Sequence, residues 1–500
     1  MLAALTRRAL PVVVAFALLA PGFAAEPEGE PAPFPPEIVP EEKAAVLDPP
    51  VESAPEPAAA IPETADAGLP ATPEDDPFPF PEGLRGRVEF WQGVFGVWST
   101  KQVVLHDADH PGLDYETLTL PGEIGSTYAK EQALLVSSHL DDLALRLKRL
   151  ETMIELKAPL TDDEKGLALL ITTRAGTGAI RGACNRVRAQ RGMRERFKRG
   201  LEISGRYDSL FRRIFREAGV PEDIAFLPHV ESSFQASARS SAGALGAWQF
   251  TRGAARRFLV LGPAIDERLD PVAAARGAAR YLKEAHELLG DWALAITSYN
   301  HGMQGMARAR ERFGTDFDRI VREYDGKLFG FASKNFYAEF LAARQVAGNP
   351  ARFFPEGVNL EPPLALDQVI LEKSLSPARV SEKYGVPLGE LAGINPAWTH
   401  RAVHGGRAVP AGTVAWLPQG TLARVAAARA LKKTPPRTPP PAKNTSQLAD
   451  SVVHVVRRGE TLLKIASSYG VRLADLLVAN RLSELTIIYP GQTLRVPTER

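Results

Sequence analysis

Prolines limit what this 500-residue chain can fold into more than any other feature, because they crowd into two stretches. The first runs from Glu26 to Glu82 and includes "EPEGEPAPFPPE" and "PATPEDDPFPFPE"; the second, "KKTPPRTPPPAKNTSQ", runs from Lys432 to Gln447. A proline fixes its own φ and donates no backbone hydrogen bond, so such runs continue neither a helix nor a sheet. The acidic first stretch also lacks the apolar bulk to offset its ordering entropy, and it reads as a disordered, extended tether over 26–82. The basic second stretch reads as a stiff linker within 419–450. A long body lies between them, and a short module, 451–498, follows.

The body reads as mainly α. A helical N-terminal region is expected over 83–200, where Glu131 to Leu156 carries Leu134, Leu135, Leu140, Leu143, Leu145 and Leu150 close to helical spacing. From Ser204 to Ala218, the residues Tyr207, Leu210, Phe211, Ile214 and Phe215 fall on one stripe that Gly219 can end. Pro221 suits the first turn of the next helix, with Glu222 and Asp223 favourable to its dipole, and that helix carries Glu231. Asp270-Pro271 starts another helix, which stops at Gly290, and Asp291 caps "WALAITSYN". A compact all-α domain over 201–350 follows.

The N-terminus reads as a signal peptide over 1–25: Arg7 and Arg8, an apolar run from Ala9 to Ala20, then small residues through Ala25. The run is too short for an ordinary membrane span. No cysteine lies near the cleavage region, so no lipid anchor is expected there. The only cysteine, Cys184, has no partner for an internal disulfide and reads as a small apolar residue. The setting expected is the periplasm of a bacterium with an outer membrane. A net charge of +1 gives no electrostatic footprint for nucleic acid.

Four short pieces carry the chemistry: "VESSF" at Val230–Phe234, "GALGAWQF" at Gly243–Phe250, "RLDP" at Arg268–Pro271 and "SYNHG" at Ser298–Gly302. Singly, each has a bland reading, with Glu231 on a wet helix face and Trp248 and Tyr299 in a core. Together, in this order and spacing, they resemble the lysozyme-like lytic transglycosylases. The upstream "SGRYDSLFRRIFREAGVPEDIAFLPHVESSF" looks like that family's membrane-bound transglycosylase D branch. The resemblance implies a lysozyme-like fold over 201–350, no cofactor and no metal. It also implies peptidoglycan glycan strands as substrate, and leaves room for peripheral membrane association; protein partners stay open.

Cleaving a glycosidic bond needs an acid, and burial beside apolar groups keeps a glutamic acid protonated. A hydrolase normally adds a second carboxylate facing the first. The next acids along the chain are Asp266, Glu267 and Asp270. Asp270 is better explained as a helix cap and the others lie in a polar loop, so a single acid is the more economical reading. The resemblance then implies that Glu231 protonates the oxygen between N-acetylmuramic acid and N-acetylglucosamine. It would next take the proton of the sugar's O6 hydroxyl, closing a 1,6-anhydro ring. By position, Gln249 and Asn300 would hydrogen-bond sugar, Tyr299 would line the cleft and Ser232 would orient the strand. Trp248 would either stack on a sugar or pack in the core. A later tyrosine of the family matches Tyr337 in "SKNFYAEF", with the register open by one residue. His229 and His301 depart from the family pattern, and His229 reads as a structural hydrogen-bonder.

The C-terminal "HVVRRGETLLKIASSYGVRLADLLVANRLSELTIIYPGQTLRVP" has a β-α-α-β pattern and resembles the LysM domain over nearly its whole length. That resemblance implies a glycan groove lined by Gly459, Glu460, Thr461, Leu462, Ile487, Ile488, Tyr489 and Pro490. A fainter version spans 364–418 and reads as a degenerate repeat packed on the catalytic domain. Two other functions remain open on the residues alone: a wall-binding scaffold without activity, and a hydrolytic muramidase.

Overall fold

The computed structural model describes residues 76–433, 451–457, 459–482, 486, 488 and 490–497. The expected signal peptide, the tether up to residue 75 and the proline-rich part of the linker lie outside them. Two compact units, 1–426 and 427–500, divide the chain, and each is described by itself.

The first unit corrects the expected start of the body. Residues 76–82, assigned to the tether, are part of the fold. Phe78 is buried and meets Phe340 edge-on at 5.0 Å and Trp292 at 6.1 Å, while Asp76 accepts from Arg344 at 2.6 Å. Two phenylalanines among prolines bury enough apolar surface to hold a short extended strap, which composition alone does not reveal.

The region 83–200 is not purely helical. Helix α1 (Arg85–Gln92) leads through a π-type turn into β1 (Gln102–Asp107) and β2 (Asp114–Thr119). Helices α2 (Lys130–Glu155) and α3 (Asp162–Ala175) follow, and then β3 (Val187–Arg191). The three strands pair antiparallel in the order β2-β1-β3, with Val104 opposite Thr117 and Gln190. The strand escapes a period-two reading because both faces of β1 are buried, Val103 and Leu105 in the α2–α3 core and Val104 in the core of the main body. The expected leucine stripe of α2 is also corrected. Val136, Leu143, Leu147 and Leu150 are buried, whereas Leu134 and Leu145 are 62% and 70% exposed.

Next come α4 (Arg194–Ser204) and α5 (Asp208–Ala218), the second carrying the stripe read over Ser204–Ala218 and ending at Gly219. The break falls at Gly205, where an added Cβ would press on the Glu361 carbonyl oxygen. The segment after Pro221 is a tight 3-10 turn, Glu222–Phe226, and then α6 (Leu227–Glu231), so Glu231 is the last helical residue. Helix α7 (Arg252–Phe258) precedes α8 (Pro271–Leu289), whose first N–H groups, of Val272 and Ala273, donate to Asp270 at 2.8 and 3.0 Å. Helices α9 (Trp292–His301), α10 (Met303–Phe313), α11 (Phe317–Glu323) and α12 (Phe331–Gly348) complete the body. Its core runs along α5, α8, α9 and α12 with Trp248 fully buried among them.

Residues 364–418 form a small layer with β4 (Leu366–Ile370) antiparallel to β5 (Val414–Pro418) and two short helices, Pro377–Tyr384 and Leu388–Ile394, between them. It is fastened to the body: Trp416 donates to Asp270 at 2.7 Å, and the Thr399 hydroxyl donates to the Pro263 carbonyl at 2.7 Å. The linker expected from 419 starts later, since Thr421–Lys433 is a helix. Its "LARVAAARALKK" is rich in strong helix formers, which outweigh the neighbouring prolines.

In the second unit, β6 (Ser451–Val455) pairs antiparallel with β7 (Thr493–Pro497) beside helices Leu462–Ser468 and Leu473–Asn480. One device recurs in both modules. The Asn480 side chain donates to the carbonyls of Leu476 and Arg495 and accepts from the Arg495 N–H. Asn395 does the same with Leu391 and Trp416. Each asparagine ties the end of a second helix to the closing strand.

Candidate active site

Glu231 owes its position to an abrupt chain reversal. Helix α6 ends, Ser233 and Phe234 both adopt left-handed φ values of 52° and 61°, and the N–H groups of Ser232 and Phe234 both donate to the Pro228 carbonyl at 3.1 Å. Two consecutive non-glycine residues in that conformation are costly, and such strain concentrates where a side chain must be held in place. Below the turn His229 is buried, 4.8 Å from the Phe197 ring and 4.5 Å from Phe234. Burial lowers its pKa to about 3, so it is neutral. The expectation that it is a structural hydrogen-bonder is corrected in part: its Nδ1 has no partner, and ring packing holds it.

The Glu231 side chain is 8% exposed and makes no hydrogen bond or ion pair among the described residues. Burial pushes its pKa well above the ordinary carboxylate value, and the charge of Glu339 pushes it further. Such a shift favours the protonated form of the carboxyl, as a general acid requires.

A second wall comes from the turn before α7. Gly246 has φ 83°, and a Cβ there would overlap the Arg268 carbonyl oxygen, so the turn needs glycine. Gln249 also sits at a left-handed φ of 47°, and its amide Nε2 donates to the carbonyls of Gly246 at 2.7 Å and Ala238 at 3.1 Å. Trp248 points the other way into the core, its Nε1 donating to the Pro271 carbonyl at 3.1 Å, which decides between the two roles open to it. Ser232 donates to the Ala247 carbonyl at 2.8 Å, pinning the acid's turn to this wall.

Helix α9 supplies the third side. The Tyr299 hydroxyl donates to the Trp248 carbonyl at 2.9 Å, and its pKa is pushed well up by burial and then by the charge of Glu231. Asn300 accepts from the Ser333 hydroxyl at 2.8 Å, which leaves its Nδ2 donors for a ligand. Ser232, Gln249, Tyr299 and Asn300 are thus brought together with Glu231, but each spends one polar group on the framework. The groups not spent on the framework are the Gln249 amide oxygen, the Asn300 amide nitrogen and the remaining hydroxyl lone pairs.

Tyr337 is not brought to the acid. Its hydroxyl donates to the Pro79 carbonyl of the strap at 2.8 Å, and its ring packs on Phe317 at 5.2 Å. The residue of "SKNFYAEF" that belongs to the site is Glu339, two positions on and so on the opposite face of α12. It is 6% exposed, and burial raises its pKa to about 8. A signal for it existed in the sequence: a single carboxylate inside the apolar run "FYAEFLAA", the same oddity that singles out Glu231. The acids weighed as second carboxylates are structural. Asp266 pairs with Arg268 at 2.7 Å, Glu267 accepts from the Val260 N–H at 2.7 Å, and Asp270 caps α8.

In the C-terminal module, Gly459 has φ 85° and Thr461 caps the first helix by accepting from the Lys464 N–H at 3.3 Å. Glu460 turns inward, accepting from the Arg457 N–H at 2.7 Å and lying 2.8 Å from His454 Nε2, so its pKa is lowered. Leu462 is buried in the module's core, and Ile488 packs against that core. Pro490 is exposed, while Ile487 and Tyr489 lie outside the described residues. Among the described residues no group of His, Cys, Asp and Glu side chains converges to hold a metal ion, and no helix is long and apolar enough to cross a membrane.

The family model for the transglycosylase SLT domain matches residues 211–320, and the LysM domain model matches residues 454–497. The first match takes in Glu231, Gln249, Tyr299 and Asn300 and ends before Glu339. The membrane-bound lytic murein transglycosylase D proteins of Escherichia coli strains K12 and O6:H1 are each 26% identical over 293 residues, covering 56% of this chain and 61% of theirs. The chain therefore spans about three-fifths of the length of these relatives. A tributyltin chloride resistance protein of Alteromonas sp. (strain M-1), so described provisionally, is 37% identical over 92 residues, 18% of this chain and 44% of its own. Among solved structures, an inactive mutant of lytic transglycosylase Slt from Pseudomonas aeruginosa matches 31% of this chain and 25% of that one, at 19% identity and a TM-score of 0.24.

Proposed function

We propose that this chain, in which a transglycosylase SLT domain is joined to a LysM domain, is an exported lytic transglycosylase of peptidoglycan. It cuts between N-acetylmuramic acid and N-acetylglucosamine without consuming water. One observation carries the reading: Glu231 is a buried, unpaired carboxyl whose burial favours its protonated form, beside a polar wall of Gln249, Tyr299 and Asn300.

In the first step the Glu231 carboxyl gives its proton to the glycosidic oxygen, and the bond from that oxygen to the muramic acid's anomeric carbon breaks. The muramic acid's own 2-acetamido oxygen stabilises the positive carbon. In the second step the Glu231 carboxylate takes the proton of the O6 hydroxyl, and O6 bonds to the anomeric carbon. The proton is returned and the 1,6-anhydro ring is closed. Asn300 donates to an acceptor on the sugar, and Gln249 accepts from a hydroxyl or an acetamide N–H. Both are anchored by bonds to the framework, so they meet the strand already oriented.

A hydrolytic muramidase would need an ionised carboxylate to activate water or stabilise the cation. Glu339 is the acid whose charge reaches Glu231, and burial keeps it protonated up to about pH 8, so it offers no base near neutrality. The LysM module would hold the enzyme on the wall, raising the local concentration of strand.

Mass spectrometry of muropeptides from purified peptidoglycan tests the reading, with wild type, Glu231→Gln and Glu339→Gln digests compared. Anhydro ends from the wild type and from Glu339→Gln, and none from Glu231→Gln, are expected. Reducing ends from the wild type would establish the muramidase instead, and bound but uncut wall would establish the scaffold.

A further inference from the structure

A cavity of about 580 Å³ opens beside the catalytic turn, and neither the family matches nor the mechanism gives it a role. It lies where the sheet layer meets the body. The turn before β1, the loop ahead of α2, the end of β3, the first turns of α4 and the residues just past Glu231 all line it. Ser233 and Gln235 close the side next to the acid, and the buried Ser233 hydroxyl has no hydrogen-bond partner. The approach is tight at this point, since a Cβ on Gly200 would lie 2.9 Å from the Ser233 carbonyl oxygen.

The wall is basic. Arg196 has no hydrogen bond or ion pair among the described residues. Arg191 donates only to the carbonyls of Thr100 at 2.6 Å and Gly125 at 3.2 Å, with its guanidinium 5.5 Å from the Tyr128 ring centre. Neither is met by a carboxylate. Arg199, in contrast, is paired with Glu202 and Glu361. The one acid of the wall, Glu195, accepts from the Thr100 N–H at 2.7 Å. Two guanidiniums that share a cavity and lack an anion repel each other. The charge of Arg191, after partial burial, is the second cause that lowers the Arg196 pKa.

We propose that this cavity receives a carboxylate of the peptide stem carried by the muramic acid in the cleft, with Arg196 and Arg191 as its partners. The inference rests on the transglycosylase reading of Glu231. The substrate's chemistry fits it. The stem leaves the sugar through the lactyl ether at O3, within reach of a cleft centred on that sugar, and its α-carboxylates are its fixed anions. A guanidinium without a partner matches a carboxylate with two parallel hydrogen bonds.

The test compares cleavage of stem-bearing glycan strands with cleavage of the same strands stripped of peptide by an amidase. The full-length protein is used, as wild type, Arg196→Glu and Arg196→Lys. Arg196 is exposed, so its replacement leaves the core intact, and thermal unfolding of each variant checks this. The expected wild-type ratio of kcat/KM favours stem-bearing strands by about tenfold, the size of one charge-assisted bond. Arg196→Glu brings the ratio to near one, and Arg196→Lys retains most of it. A wild-type ratio of one, or an equal fall on both substrates in Arg196→Glu, overturns the proposal. If the wild type cuts neither strand, the transglycosylase reading fails. Direct binding of a disaccharide-tetrapeptide and of the bare disaccharide then reads the cavity: tighter binding of the former that is lost in Arg196→Glu supports it, and equal binding overturns it.

Discussion

Glu231 at the end of α6 and Glu339 in the middle of α12 are buried carboxyls on packed helices, and the charge of the second acts on the first. Two acids in one low-dielectric site do not ionise independently. Glu339 loses its proton near pH 8, and once ionised it holds the proton on Glu231 more firmly. On the proposed mechanism, the pair thereby extends the range over which Glu231 acts as an acid.

The alkaline limb of the pH–rate profile should therefore move in Glu339→Gln. Removing the neighbouring charge lowers the Glu231 pKa, so activity falls off at lower pH than in the wild type. Steady-state rates on purified wall between pH 5 and 10 read this directly. An unmoved limb with a uniformly lower rate would reduce Glu339 to a packing role.

Stability should depend on the same group with a definite sign. The Glu339 pKa is raised from 4.5 to about 8, so between these values the native state holds a proton that the unfolded chain has lost. Stability then falls as pH rises through that window, by an amount on the order of a few kcal/mol. Comparing wild type with Glu339→Gln by thermal unfolding, the melting difference should shift in favour of Gln from pH 5 to pH 8. A pH-independent difference would mean that the carboxyl titrates normally.

Trp248 should behave as a core residue. Trp248→Ala removes a fully buried ring packed 5.2 Å from Phe211 and 5.5 Å from Phe215, at a cost of about 3–5 kcal/mol. Chemical denaturation measures the loss. A small loss of stability with a large rise in KM would instead point to sugar stacking.

Tyr337→Phe separates a fold role from a site role. It deletes one hydrogen bond to the strap, worth about 1 kcal/mol, and leaves the acid's surroundings unchanged. The denaturation midpoint should fall slightly while kcat/KM stays near the wild-type value. A collapse of kcat at unchanged stability would return Tyr337 to the cleft.

The LysM module should depend on Asn480 for its stability. Asn480→Ala breaks three hydrogen bonds in a unit of fewer than fifty residues, whose small core leaves little stability to lose. Co-sedimentation with insoluble wall should drop several-fold. Undiminished sedimentation would show that the catalytic unit alone binds the wall.

The sequence made some of this legible and hid the rest for identifiable reasons. Helices with caps were plain: Asp270, Pro271 and Gly290 bracket α8, and Asp291 starts α9. Strand β1 was hidden because "VVL" is buried on both faces and shows no alternation. The strap was hidden because Phe78 sits among prolines and acids that outweigh it in any compositional average. At the candidate site, motif spacing singled out Glu231, Gln249, Tyr299 and Asn300, which the fold sets at the end of α6, in the turn before α7 and in the last turn of α9. Glu339 lies more than a hundred residues from Glu231, and only the packing of α12 on α6 joins them. Tyr337 went astray because two residues along a helix turn a side chain by about 200°, so Glu339 and not Tyr337 is on the face toward Glu231.

On the proposed mechanism, Glu231 cleaves the strand without consuming water. Digesting purified peptidoglycan in water labelled with a heavy oxygen isotope, and weighing the released muropeptides, tests it most directly. Unlabelled 1,6-anhydro ends are expected from the wild type, and a loss of about a hundredfold or more in Glu231→Gln. Heavy oxygen at the anomeric carbon of new reducing ends would contradict it.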